Sequence, residues 1–156
     1  MSPSQHLEHP TPAPNHHADH PGFAGLSGLL AAAGFLLGRR PIADLAVRLV
    51  GVGADDAVVD VGCGPGVAAR QAAAAGAASV VGVDPAPVML RVARAAGAVA
   101  RHGRRPVRFL VGAAEALPLP DRSATVLWSL STVHHWRDLD AGLAEARRVL
   151  RPAGRL

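Results

Sequence analysis

A doubly wound α/β fold built on a parallel sheet is what this sequence predicts, from three observations. Short β-branched runs alternate along the chain with helix-like segments. Those runs are apolar throughout rather than alternating apolar and polar, as in strands covered on both faces. The first of them, Val58-Val59-Asp60-Val61, breaks at once into Gly62-Cys63-Gly64-Pro65-Gly66 and then a helix-like segment. A strand that turns through glycines into a helix lets the backbone approach a ligand, with free N–H groups and a helix dipole facing it.

Taken in order, residues 1–21 read as a disordered arm, because Pro3, Pro10, Pro12, Pro14 and Pro21 block regular structure. His6, His9, His16, His17 and His20 could bind a metal ion adventitiously, but they lack regular ligand spacing, so no metal site is expected. The arm has no basic n-region of the kind a secretory signal carries. Residues 22–53 read as N-terminal helices. The uncharged run GFAGLSGLLAAAGFLLG is just short of a membrane span and carries five glycines. A helix that packs on the domain or lids its site is expected there, with Gly34 as the point where it would break. Ile42, Leu45, Ala46 and Leu49 then repeat at helical spacing, Asp44 and Arg48 are placed to pair at i,i+4, and Gly51 and Gly53 end the helix.

Residues 54–156 form the core. After the glycine loop a helix runs from Val67 to Ala75 and stops at Gly76. Ser79 to Val83 is a second strand ending at Asp84, and Pro87 starts a helix whose apolar face is Met89, Val92, Ala93 and Ala96. Val107, Phe109 and Val111 make a third strand. A loop follows over residues 113–123, then a fourth strand from Ala124 to Ser129. Asp138 caps a last helix with Leu139, Leu143, Ala146 and Leu150 on one face; Pro152 and Gly154 stop it, and Arg155 and Leu156 begin a fifth strand.

The 156 residues suffice for one domain with a real core, and 49% hydrophobic with 18% charged residues is a folded, soluble composition. All 16 basic residues are arginine, which removes Schiff-base and P-loop lysines, and the absence of tyrosine removes a phenolic base. The formal charge of +4 is scattered. The densest patch, Arg101, Arg104, Arg105 and Arg108, has only Phe109 interleaved, so no nucleic-acid partner is expected. A single cysteine, Cys63, forbids an internal disulfide and suits a reducing, cytoplasmic compartment. It reads as a small apolar loop residue rather than a nucleophile, since no partner base is evident.

Ligands of such sheets bind at the carboxyl ends of the strands. The glycine loop, Asp84, the Ala113–Glu115 segment and the Ser129–His135 segment all fall at that edge. The glycines of the loop stand at its first, third and fifth positions, whereas a dinucleotide fingerprint needs the first, third and sixth, here Val67. A dinucleotide or nucleotide-sugar enzyme is thereby disfavoured. Asp84, about 20 residues past the loop, is placed to accept both ribose hydroxyls of an adenosine ligand, or simply to complement a helix N-terminus.

The stretches VVDVGCGPG, VVGVDPAPVML, GAAEALPLPD, STVHHW and EARRVLRPAGRL, in this order, closely resemble the small-molecule methyltransferases of the type 11 and ubiquinone/menaquinone-biosynthesis group. These belong to the class I, Rossmann-like, S-adenosylmethionine-dependent enzymes, and the resemblance runs from about Val58 to Leu156. It implies S-adenosyl-L-methionine held by Asp60, Gly62, Gly64, Gly66 and Asp84. Ala113 and Ala114 would lie against the adenine, and Ser129 or Leu130 beneath the sulfonium side. It also implies in-line methyl transfer to a small-molecule acceptor, dominated by proximity. His134 and His135 are candidate bases, histidine suiting neutral pH, or else one packs on Trp136 while the other is solvated.

The sequence departs from the group in three places. Ala113 stands where a polar residue usually meets the adenine amino group. Ala124-Thr125 replaces Phe-Asp and removes core volume. The chain holds four strands and the start of a fifth where the group has seven. An open edge beside the fourth strand would invite aggregation, so a fragment, or a non-catalytic S-adenosylmethionine-binding remnant, is the alternative expectation. Neither the acceptor nor the oligomeric state is readable.

Overall fold

The computed structural model describes residues 25–99 and 106–156. The arm at residues 1–21, and Arg101, Arg104 and Arg105 of the basic patch, lie outside the described residues. Five strands form: β1 (Ala57–Val61), β2 (Ser79–Asp84), β3 (Arg108–Val111), β4 (Ala124–Trp128) and β5 (Leu150–Arg155). All pair in parallel, in the order β3-β2-β1-β4-β5. The chain therefore winds outward from β1 to β3, then crosses to the other side at β4. The point between β1 and β4, where the winding reverses, is where the loops after the two strands diverge and leave a crevice.

The helices are α1 (Gly25–Gly38), α2 (Arg40–Val50), α3 (Val67–Ala74), α4 (Pro87–Val99) and α5 (Leu139–Val149). Two apolar clusters sandwich the sheet. Val58, Val126 and Trp128 meet Ala43 of α2, Ala69 and Ala72 of α3 and Leu90 and Ala93 of α4. Val59, Val61, Val83 and Leu127 meet Trp136 and Ala146 and Val149 of α5. That two-sided burial is why the strands read as continuous apolar runs. Full burial of a residue such as Leu90 or Leu127 contributes about 1.5–3 kcal/mol each.

Several expectations change in detail. α1 is continuous through Gly34 and packs on α4, while α2 packs on α3. Asp44 turns to Gln71 Nε2 of α3 rather than to Arg48, since a part-buried hydrogen bond between packed helices wins over an exposed i,i+4 pair. Ser79 and Arg108 are exposed strand ends, and Val111, the last residue of the edge strand β3, is 57% exposed. On α5, Leu139 and Leu143 are exposed, and the buried face is Gly142, Ala146 and Val149. Trp136 decides this. Its ring lies so close to Gly142 that an added Cβ there would overlap it, so the helix turns its glycine, not its leucines, to the sheet. Asp138 caps α5 as expected, its Oδ1 accepting from Ala141 N–H at 3.0 Å.

The fifth strand begins at Leu150, not Arg155, and covers the edge of β4. Pro152 and Gly154 belong to this strand instead of following the helix; an outer strand tolerates a residue without an N–H. Asp56 anchors its end. Thr125 Oγ1 donates to Asp56 Oδ1 at 2.7 Å and accepts from Ala57 N–H at 2.9 Å, and Arg155 pairs with the same carboxylate. Burial raises the Asp56 carboxyl, but the bonds from Gly53, Thr125 and Arg155 together outweigh it and hold it below its usual range. The Ala124-Thr125 departure is thus accommodated: Ala124 is fully buried among close neighbours, and Thr125 takes part in a tie between β1, β4 and β5.

Among the described residues, no helix is long and apolar enough to cross a membrane. None of them forms a group of three or more His, Cys, Asp or Glu side chains able to hold a metal ion.

Candidate active site

β1 runs into the glycine loop with its amides bent back on β2. Gly62 and Cys63 N–H both donate to the Val83 carbonyl, at 2.8 and 3.0 Å. This turn needs left-handed backbone at Gly62, Gly64 and Gly66, with φ of 70°, 52° and 73°. The three glycines differ in what surrounds them. A Cβ on Gly62 would overlap the Thr132 side chain, and one on Gly66 the Phe109 ring, whereas nothing lies within 4 Å of the Cβ position of Gly64. Two glycines therefore serve close packing, and the middle one faces open space.

Asp84, at the end of β2, is 7% exposed. Its Oδ2 accepts from Gly64 N–H at 2.8 Å and its Oδ1 from Ala86 N–H at 2.8 Å. Burial raises the carboxyl, against which the two amides act. Each oxygen keeps a further lone pair able to accept a ligand hydroxyl.

Asp60 lies beneath the same loop, 2% exposed. Its Oδ2 accepts from Ala69 N–H in the first turn of α3, at 3.0 Å. In the sheet it stands level with Gly82 and Trp128. The Trp128 indole N–H is buried without a hydrogen-bond partner; it faces Asp60 and partly stabilises its charge without completing a bond. Burial dominates, and the Asp60 carboxyl is pushed up to about 7.

Asp60, Gly62, Cys63, Pro65, Val67 and Ala68 line a shallow, solvent-open cavity together with Leu130 and with Arg39, Ile42 and Ala43 from the N-terminal helices. Ser129 and Thr132 hydroxyls bond at 2.5 Å, and Thr132 Oγ1 donates to the Val61 carbonyl at 3.2 Å, which ties the loop after β4 to the end of β1. Cys63 is buried and its thiol is pushed far up, by burial first and by Asp60 and Asp84 next, so it is not a nucleophile.

On the other side of Asp84, Gly112 N–H donates to the Asp84 carbonyl at 3.3 Å. Ala113 is half-buried, whereas the Ala114 side chain packs into the core. His134 and His135 occupy a single 3₁₀ turn, exposed, with ring centroids 4.0 Å apart. It is Trp136 that is buried, against α5.

Sequence reasoning missed three side chains. Arg39 reaches the cavity from the junction of α1 and α2. Arg70 supports the glycine loop from behind, donating to the Pro65 carbonyl at 2.7 Å. Arg148 grips the loop after β3, donating to the carbonyls of Leu117 and Leu119 at 3.0 and 2.8 Å and pairing with Glu145, which in turn accepts from Leu117 N–H at 2.8 Å. The density of arginine throughout the chain hides these three, because nothing local marks them.

This geometry meets a direct comparison. Residues 59–156 match the family described as a methyltransferase domain. The chain belongs to that family. The implied cofactor is S-adenosyl-L-methionine, and the fold is the family's Rossmann-like one. Among relatives, the chain is 39% identical to the malonyl-[acyl-carrier protein] O-methyltransferase of Serratia marcescens over 114 residues, covering 71% of this chain and 42% of that protein. It is 36% identical to the demethylmenaquinone methyltransferase of Tropheryma whipplei (strain Twist) over 111 residues, 71% of this chain and 44% of that one. An S-adenosylmethionine-dependent methyltransferase from Mesorhizobium loti superposes with a TM-score of 0.62 at 30% identity, covering 72% of this chain and 50% of the other. The chain thus spans less than half the length of those two curated relatives.

The residues present fit the cofactor. A zwitterionic, sulfonium-bearing nucleoside needs an acceptor for its ribose, room against a backbone loop and an acid near its ammonium. Asp84 has unused lone pairs, Gly64 opens on free space, and Asp60 lies in the adjoining cavity beside an unpaired indole N–H.

Proposed function

We propose that this chain is the donor-binding core of an S-adenosylmethionine-dependent methyltransferase that transfers a methyl group to a small-molecule acceptor by in-line displacement. One observation carries the proposal: Asp84 and Gly64 are bonded to each other beside open space. When bound, the cofactor supplies an already activated methyl group on a sulfonium. The protein's task is then to align it, and correct alignment supplies most of the rate.

In this proposal Asp84 accepts the ribose hydroxyls, and Gly62, Gly64 and Gly66 shape the loop over the nucleoside. Asp60 favours the ammonium end. Ala113 and Ala114 offer backbone groups to the adenine; with no polar side chain at Ala113, donor affinity is reduced relative to relatives that have one. Ser129 and Leu130 face the sulfonium side, joined to the bend after β1 by Thr132. His134 or His135 takes a proton from the acceptor where the acceptor needs a base. A small-molecule acceptor accords with the relatives' names, and a cytoplasmic setting accords with one buried free thiol.

Calorimetric titration with S-adenosylmethionine, S-adenosylhomocysteine and NAD tests the donor half. Binding of the first two and not the third is expected; binding of NAD alone would overturn it. Turnover across an acceptor panel, in this chain and with His134→Ala and His135→Ala, tests the rest. Unchanged turnover in both variants removes the base role.

A further inference from the structure

Trp128 ends β4 directly opposite Asp60 of β1, and both side chains stand on the face of the sheet that α3 covers. Asp60 lines the cavity and Trp128 does not, so the indole lies behind the carboxylate rather than beside a ligand. Trp128 is 5% exposed, and its Nε1–H is the one buried side-chain donor without a partner among the described residues. Burying an unpaired donor is costly, and a phenyl ring would fill much of the same space without that cost. The carboxylate is short of donors in its turn. Among the described residues Asp60 has one completed hydrogen bond, from Ala69 N–H. The other polar or charged side chains around it are engaged elsewhere. Arg39 donates to the Leu130 carbonyl, Arg70 to the Pro65 carbonyl and the Cys63 thiol to the Gly64 carbonyl, while Asp84 accepts from Gly64 and Ala86. After burial, the indole is the strongest influence on the Asp60 carboxyl, and it favours the charged form.

We propose that Trp128 is a positioning residue: its indole N–H closes on the Asp60 carboxylate when that group is charged, and holds it toward the cavity for the ammonium of the methyl donor. This rests on the donor reading above and adds to it a residue that touches no ligand. An ammonium on the cavity side and an indole N–H behind act on one carboxylate from two directions, so each strengthens the other's hold. The unpaired N–H thus gains its partner at the step where the site needs the charge.

The test follows the indole itself in the full chain. The two tryptophans give two indole resonances in nuclear magnetic resonance, each assigned through its own backbone amide. As pH rises through about 7, where the Asp60 carboxyl ionises, the Trp128 indole proton is expected to move downfield, and to stay still in Asp60→Asn. Saturation with S-adenosylhomocysteine is expected to slow its exchange with solvent at least about tenfold. Binding is then measured by calorimetry for S-adenosylhomocysteine and for 5′-methylthioadenosine, which lacks the amino-acid end. Trp128→Phe is expected to weaken the first about tenfold, the scale of a hydrogen bond to a charged group, and to leave the second unchanged. Equal weakening of both means that Trp128 only fills the core, and no weakening of either means that its N–H does not serve Asp60; either result overturns the proposal. If Trp128→Phe does not fold, the resonance decides: an indole proton that ignores both pH and S-adenosylhomocysteine overturns it as well. A chain whose resonance titrates but which binds neither nucleoside keeps the Asp60–Trp128 bond and sinks the donor reading, and the positioning role falls with that reading.

Discussion

The amide of Gly64 donates to Oδ2 of Asp84 at 2.8 Å, although the two residues stand on different strands' loops. The bend after β1 and the end of β2 are therefore one unit. The carboxylate cannot turn away without leaving the half-buried amides of Gly64 and Ala86 without this partner, so in the proposed site a ligand on Asp84 would lie beside Gly64. The other oxygen of Asp84 accepts from Ala86 N–H in an Asx turn just ahead of α4, so the same side chain also shapes the entry to that helix.

Asp84→Ala is expected to weaken S-adenosylhomocysteine at least about 100-fold, through loss of the charged acceptor and of the loop geometry together. Asp84→Asn is expected to be nearly as damaging, since its amide nitrogen would face one of the two N–H donors it now accepts. Calorimetry measures both. Affinity within threefold of the natural chain in Asp84→Ala would remove the carboxylate from the site.

Asp60 gives a pH signature to stability. Its carboxyl is raised in the folded state to about 7, so between the ordinary carboxylate range and about pH 7 the folded protein holds a proton that the unfolded chain has released. The sign follows: this group makes the protein less stable as pH rises through that window, and the loss levels off above it. Asp60→Asn removes the slope while keeping an oxygen for Ala69 N–H. Denaturant unfolding should show the variant gaining on the natural chain between pH 5 and pH 8, by on the order of 2–4 kcal/mol. Parallel curves for the two proteins across that range would contradict the burial argument.

Glu145 and Arg148 hold the loop after β3 to α5. Arg148→Gln is expected to speed hydrogen exchange at Leu117 about tenfold and to weaken donor binding about threefold, with α5 unchanged. The clamp also has an acid limit. The Arg148 bond holds the Glu145 carboxyl below its usual range, so its contribution is present above that range and lost as pH falls through the lowered value. Exchange at Leu117 that is the same in both proteins would show that the loop holds itself.

The sequence by itself determined the parallel sheet, the order of its elements and the four segments at its carboxyl edge. Each depends on a local cause: β-branched runs, glycines needing left-handed backbone, and proline or aspartate at helix starts. Only tertiary structure decided which face of α5 is buried, because the bulk of Trp136 against Gly142 outweighs the leucine periodicity. It also decided that β5 starts at Leu150, where pairing with Ala124 is available. The cavity was decided in the same way. Arg39 and Asp60 are far apart in the chain and line one cavity only because α2 packs on α3 beside the end of β1, and no local pattern encodes a cavity made by two surfaces closing on each other.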